Sequence, residues 1–154
     1  MLAIKRILNP TDFSSESAPA FDLACSLARD YGATLVVCHV VPPPPAAVVD
    51  GVFIATPADE QNEARNRLAG IHPNDPLINC SCRLETGDAV SEIIRVADEE
   101  HVDLIVMGTH GRGGLSRLLM GSVAEGVMRK APCPVITVRP ARTEAAKLEA
   151  AAAS

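Results

Sequence analysis

Apolar residues gather in five short runs rich in β-branched side chains: AIKRIL at 3–8, TLVVCHVV at 34–41, INCSCRLE at 78–85, DLIVM at 103–107 and PVITV at 134–138. Each predicts a strand. The second and fourth are almost unbroken apolar runs, as in central parallel strands covered on both faces. Between them the period changes to that of a helix. Ala20, Leu23, Ala24, Leu27, Ala28 and Tyr31 fall on one stripe, Gly32 sits where a helix would end, and Pro19 fits only a first turn, so this helix should start near Ser15 to Ser17. Val90, Ile93, Ile94 and Ala97 form a second stripe behind Asp88, a suitable N-cap. Ala124, Val127, Met128 and Ala131 form a third that stops before Pro132, and residues 58–70 read as a weaker, polar helix. The order βαβαβαβαβ predicts an α/β domain: an open parallel sheet with right-handed crossovers and helices on both faces.

Two stretches fall outside the alternation. Residues 42–57, PPPPAAVVDGVFIATP, open with four prolines and are expected to form a long surface loop. The apolar Val52, Phe53 and Ile54 leave open a second reading, a flap beside a ligand. The end of the chain, residues 140–154, reads as a low-complexity, Ala-rich tail.

Bulk properties narrow the function. A chain of 154 residues fits one domain. A net charge of −5 without a Lys/Arg cluster, together with one Tyr, three Phe and no Trp, argues against nucleic acid as the partner. The N-terminus lacks the apolar stretch of a signal peptide, and no window approaches the ~20 apolar residues of a membrane span. A cytoplasmic protein without a membrane partner is expected, with its five cysteines (25, 38, 80, 82 and 133) reduced and mostly buried. Cys80 and Cys82 would share one face of a strand, but no spacing suits a zinc site, so no structural metal is expected.

The candidate chemistry lies in MGTHGRGGLSRLLMGSV, residues 107–123, which holds five glycines in seventeen residues. It follows the fourth strand and leads into the last helix. Ligands of open α/β sheets bind at the carboxyl ends of the strands, where strand order reverses. Missing side chains let backbone N–H groups approach an anion, and the first turn of a helix favours phosphate. Ser122 would add a hydroxyl and Arg112 a charge. A merely tight, mobile turn is the alternative. The run is neither a Walker A loop nor a dinucleotide fingerprint.

The spacing Gly108, two residues, Gly111, nine residues, Gly121-Ser122 resembles the G-x2-G-x9-G-[S/T] pattern of the ATP-binding universal stress proteins. ILNPTDFS, VVCHVVP, HVDLIVMGTHGRGG and LLMGSVAEGVMRKAPCPV extend the resemblance over most of residues 1–139, while residues 42–77 and the tail carry nothing diagnostic. The resemblance implies a Rossmann-like fold of strand order 3-2-1-4-5, with ATP, or ADP or AMP, between strands one and four. It implies that Pro10, Thr11 and Asp12 lie against the adenosine, with the Asp12 carboxylate accepting hydrogen bonds; an Asx-type turn is the alternative for Asp12. The backbone of Val40 would meet the adenine edge. Met107 and Gly108 would lie near ribose and phosphates, and Gly111, Arg112, Gly121, Ser122 and Val123 would bind phosphate. Mg2+ or Mn2+ can accompany such a nucleotide. The resemblance also implies a homodimer formed through the edge strand, Val135 to Val138.

Phosphoryl transfer needs carboxylates to hold a metal and a positioned nucleophile. Near the strand ends only Asp12 is acidic, and His110 reads as a loop histidine with no assigned chemistry. His39 reads as a satisfied core residue, and His72 and His101 as surface positions. No catalytic residue is assigned. A regulatory nucleotide binder in the stress response is favoured over a slow ATPase or nucleotidyl transferase on the same fold. A ligand-free interaction module comes last.

Overall fold

The computed structural model describes residues 3–43, 47–49, 52–54, 57–109, 120–140 and 151–152. Strand β1 (Arg6–Pro10) leads through a short turn into helix α1 (Ala18–Tyr31), followed by strand β2 (Thr34–Val41). Strands β3 (Ala47–Val49) and β4 (Val52–Ile54) precede helix α2 (Pro57–Ala69). Strand β5 (Cys80–Thr86), helix α3 (Ala89–Glu99), strand β6 (Leu104–Gly108), helix α4 (Ser122–Lys130) and strand β7 (Val135–Val138) complete the order.

Five strands form one parallel sheet in the order β5-β2-β1-β6-β7. Numbering only these five along the chain gives 3-2-1-4-5, the predicted order. Because successive strand residues face opposite sides, each central strand feeds two cores. Leu8, Val36, Cys38, Ile105 and Met107 point to the face covered by α3 and α4, where Ile93, Val96, Ala97, Ala124 and Val127 meet them. Ile7, Leu35, Val37, Leu104 and Val106 point to the other face, under Ala20, Ala24 and Ala28 of α1 and Leu68 of α2. Fully burying a Leu or Ile contributes about 1.5–3 kcal/mol, so these two layers fix which side of the sheet each helix occupies.

The helix ends follow local chemistry. Gly32 closes α1 in the left-handed region at φ 62°, and its N–H bonds the carbonyls of Ala28 and Arg29. Asp88 caps α3 by accepting from the Ser91 N–H at 2.9 Å. Tyr31, expected on the buried stripe of α1, is 54% exposed because it occupies the last turn, beyond the edge of the core.

Three expectations change. The segment 42–57 is not loop throughout: Ala47, Val48 and Val49 pair antiparallel with Ile54, Phe53 and Val52. The missed signal is local, since Asp50-Gly51 between two valine-rich runs has hairpin composition. Strand β1 runs to Pro10 rather than ending at Leu8, for a reason developed below. Of the five free cysteines only Cys38 is fully buried, and Cys82 is exposed because β5 is an edge strand. Burial pushes the Cys38 thiol up to about 12.

The same edge position explains a polar network. Arg83 of β5 bridges Glu85, Glu99 and Glu100, while Arg95 of α3 bridges Glu85, Glu92 and Glu99. Charged side chains thus cover the flank of the outermost strand.

Candidate functional site

Strand order reverses at β1, which has β2 on one side and β6 on the other. The chain therefore leaves the sheet in opposite directions from β1 and β6, the arrangement that in open α/β sheets forms a ligand crevice at the carboxyl ends of the strands. Thr11 continues the β1–β2 ladder by donating its N–H to the Cys38 carbonyl at 2.8 Å. Thr109 continues the β6–β7 ladder by donating to the Val138 carbonyl at 3.0 Å. The N–H of Gly121 donates to the Thr109 carbonyl at 2.8 Å, which sets the start of α4 directly beside the end of β6.

The turn after β1 is held from within. Asp12 Oδ1 accepts from the Ser14 N–H at 3.0 Å and from the Ser14 hydroxyl at 2.5 Å, so the carboxylate takes part in an Asx-type turn. Thr11 Oγ1 accepts from the Phe13 N–H at 3.1 Å and lies 3.2 Å from Ser17 Oγ. Phe13 adopts φ 63°, a left-handed conformation unusual for a bulky side chain. Its ring lies 4.2 Å from the His39 ring, and the Arg67 guanidinium sits 4.6 Å above it on the other contact. His39 Nδ1 lies 2.7 Å from the Thr11 carbonyl. A carbonyl only accepts, so Nδ1 carries a proton in this pair. His39 is thus half-buried and bonded, as expected, but it belongs to the turn rather than to the core. Phe13 and Arg67 are the residues that sequence reasoning missed; nothing in their spacing connects positions 13, 39 and 67.

Helix α4 offers the anion-facing feature. Gly121 occupies its N-cap position and makes no side-chain cap, so the first-turn N–H groups of Ser122, Val123 and Ala124 lack an intrahelical acceptor. The positive end of the helix lies there too. The Gly121 N–H itself is used by Thr109, which narrows the expected phosphate donors to the residues after it. Ser122 and Val123 are exposed.

The structure thus brings Pro10, Thr11 and Asp12, Met107 and Gly108, and Gly121 to Val123 to the same end of the sheet. Val40 stands on the far side of β1, opposite Glu85 of β5, and is half-buried. The Met107 side chain is only 5% exposed and packs in the core, so only its backbone is presented to the crevice. Gly111, Arg112 and His110 lie outside the described residues. Among the described residues no three His, Cys, Asp or Glu side chains are grouped to hold a metal ion, and no helix is long and apolar enough to cross a membrane.

Comparison with known proteins agrees with this geometry. Residues 3–139 match the model of the universal stress protein family. Universal stress protein MJ0531 of Methanocaldococcus jannaschii is 32% identical over 151 residues, spanning 91% of this chain and 85% of that protein. Among solved structures, universal stress protein UspA of Lactobacillus plantarum superposes with a TM-score of 0.68 at 25% identity, covering 88% of this chain and 98% of its own. A universal stress protein solved in complex with cAMP superposes with a TM-score of 0.62 at 25% identity, covering 90% and 99%. A family match across nearly the whole folded part, on a sheet of the same order, leaves one conclusion: this chain belongs to the universal stress protein family.

Proposed function

We propose that this protein is a regulatory nucleotide-binding module of the stress response that holds ATP, or ADP or AMP, at the β1/β6 crevice and does not turn it over rapidly. One observation carries the reading: the start of α4, whose N-cap Gly121 has no capping side chain, is tied to the end of β6 by the Gly121–Thr109 hydrogen bond, at the same end of the sheet as the turn built on Asp12. Within the glycine run, Gly108, Gly111 and Gly121-Ser122 keep the spacing of nucleotide-binding family members. A structural relative at 25% identity was solved with an adenine nucleotide, cAMP.

The residues present fit such a ligand. First-turn amides of Ser122 to Ala124 suit phosphate oxygens, and a triphosphate brings negative charge to the positive end of the helix. Gly108, Gly111 and Arg112 would complete the phosphate side, with the backbone of Met107 toward the ribose. Pro10, Thr11 and Asp12 would form the wall against the adenosine, and the backbone of Val40 the adenine edge. Any Mg2+ or Mn2+ would travel on the phosphates. Asp12, the one acid near the crevice in the sequence, is engaged by Ser14, an arrangement that suits shaping a wall rather than activating a nucleophile.

The unit that binds is residues 1–139, with 140–154 as an appended tail, and it works in the cytoplasm as a homodimer. Strand β7 lies at the sheet edge with Ile136 exposed on it, and such an edge needs cover. Placing a charge at Ile136 (Ile136→Lys) should yield monomers in light scattering; an unchanged dimer contradicts this interface. For the nucleotide, heat extraction of the purified protein followed by chromatography should release an adenine nucleotide. Hydrolysis clearly above that of a Gly121→Val control would instead favour a slow ATPase.

A further inference from the structure

In a parallel ladder alternate residues of a strand bond each neighbouring strand, and where a residue's N–H faces a neighbour it donates to the carbonyl that precedes its partner there. Odd residues of β1 such as Thr11 face β2, so the even ones face β6. Both outer seams of the crevice obey this. Ile105, paired with Val135, donates to Pro134 at 3.0 Å; Thr11, one beyond the Pro10–Cys38 pair, donates to Cys38 at 2.8 Å. On the β1–β6 seam the pairs are Ile7 with Leu104 and Leu8 with Ile105. Continued by two residues, that register sets Pro10 opposite Met107 and asks the Pro10 nitrogen to donate to the Val106 carbonyl. Proline has no N–H.

The Val106 carbonyl is nevertheless satisfied. Asn9 Nδ2 donates to it at 2.8 Å. Asn9 is completely buried, and its Oδ1 has no hydrogen-bond partner among the described residues. A buried, half-satisfied amide is costly at a core position, where an apolar residue of similar size avoids that cost. Its one bond is the one the backbone cannot make.

We infer that Asn9 is a positioning residue of the crevice: its side-chain amide replaces the donor missing at Pro10 and ties the end of β6 to β1 across the strand-order switch. Val106 lies directly before Met107 and Gly108, so this tie sets where the β6 lip of the site stands relative to Thr11 and Asp12. The consequence for ligand affinity rests on the nucleotide reading above; the exchange of donors does not.

The test is a rescue cycle. Asn9→Leu leaves the Val106 carbonyl without a donor, whereas Pro10→Ala supplies a backbone N–H at the required register. Asn9→Leu should lower the urea midpoint, speed amide exchange at Met107 to Thr109 relative to Val36, and weaken ATP binding about tenfold. Adding Pro10→Ala should return the midpoint and the local exchange toward the parent. Because Pro10 also belongs to the proposed adenosine wall, the affinity of the double variant is compared with that of Pro10→Ala alone and should match it. Should Asn9→Leu fail to fold, Asn9→Ala enters the same cycle, and folding regained only with Pro10→Ala supports the tie. Simple additivity of the two substitutions, an unchanged midpoint in Asn9→Leu, or double variants that stay unfolded would overturn it. A parent protein without nucleotide affinity would sink the nucleotide reading, while midpoint and exchange would still decide the role of Asn9.

Discussion

The Gly121 N–H donates to the Thr109 carbonyl at 2.8 Å, fastening together two residues near the two ends of the glycine-rich run. Gly121 has φ −64° and ψ 152°, a conformation open to alanine and proline alike. Gly121→Ala keeps the N–H and Gly121→Pro removes it, so the pair isolates this one bond. Gly121→Pro should bind ATP roughly tenfold more weakly than Gly121→Ala, the equivalent of about 1.4 kcal/mol. Equal affinities, measured by calorimetry, would show that the fastening does not matter to the ligand.

Phe13 holds a left-handed backbone between His39 and Arg67. That conformation costs roughly 1–2 kcal/mol for a residue with a Cβ, and glycine avoids it. Phe13→Ala loses the ring contacts and keeps the strain; Phe13→Gly loses both. The glycine variant should therefore be the more stable of the two by about 1 kcal/mol in urea unfolding. Arg67→Ala should cost about 0.5–1 kcal/mol through the lost cation–π contact. An alanine variant as stable as the glycine one would mean that Phe13 is not strained.

Helix α4 reaches its place because Gly126 has no side chain. A Cβ there would stand 2.7 Å from Val90 Cγ2 on α3, and a β-branched valine has little freedom to turn away. Gly126→Ala raises helix propensity by about 1 kcal/mol, yet the clash should make the protein about 1–3 kcal/mol less stable. Val90→Ala in the same chain should restore much of the loss. Because α4 carries the first-turn amides of Ser122 to Ala124, the single variant should also weaken nucleotide binding, and a stabilised variant with full affinity would refute the close approach.

Acid should loosen the α3 end of the molecule. The Asp88 carboxyl is held below its ordinary value, first by the Ser91 N–H and then by the Ser91 hydroxyl, and Glu99 is held down first by Arg83 and then by Arg95. Both folded values lie under the unfolded ones. Their contribution is complete above the usual carboxylate range near about 4 and fades as pH falls through the lower folded values. The urea midpoint should therefore drop between neutral and strongly acid pH. Asp88→Asn, which keeps an acceptor for Ser91 and removes the titration, should show a shallower drop; an identical slope would exclude Asp88 from the effect.

Much of the fold was legible in the pattern alone. Continuous apolar runs marked β2 and β6 as central, and the stripes of α1, α3 and α4 matched buried faces except at Tyr31 and Met128, which are exposed near the ends of their helices. Gly32 and Asp88 announced helix ends through chemistry that is purely local. The hairpin of β3 and β4 was written in Asp50-Gly51 and was obscured by the prolines ahead of it. The predicted first strand stopped at Leu8, where the apolar run ends, whereas in the sheet Asn9 and Pro10 continue the pairing of β1 with β2. The candidate site divided along the same line. Contiguous residues such as Pro10 to Asp12 could be seen in the sequence. The stack of Phe13, His39 and Arg67 could not, because only the fold brings three distant positions together.

Calorimetric titration of ATP into protein stripped of nucleotide tests the central claim most directly. The expected result is saturable binding of one nucleotide per chain, weakened when Gly121 becomes valine. The absence of binding heat for ATP, ADP and AMP across a range of temperatures, with the protein folded throughout, would contradict a nucleotide site at the β1/β6 crevice.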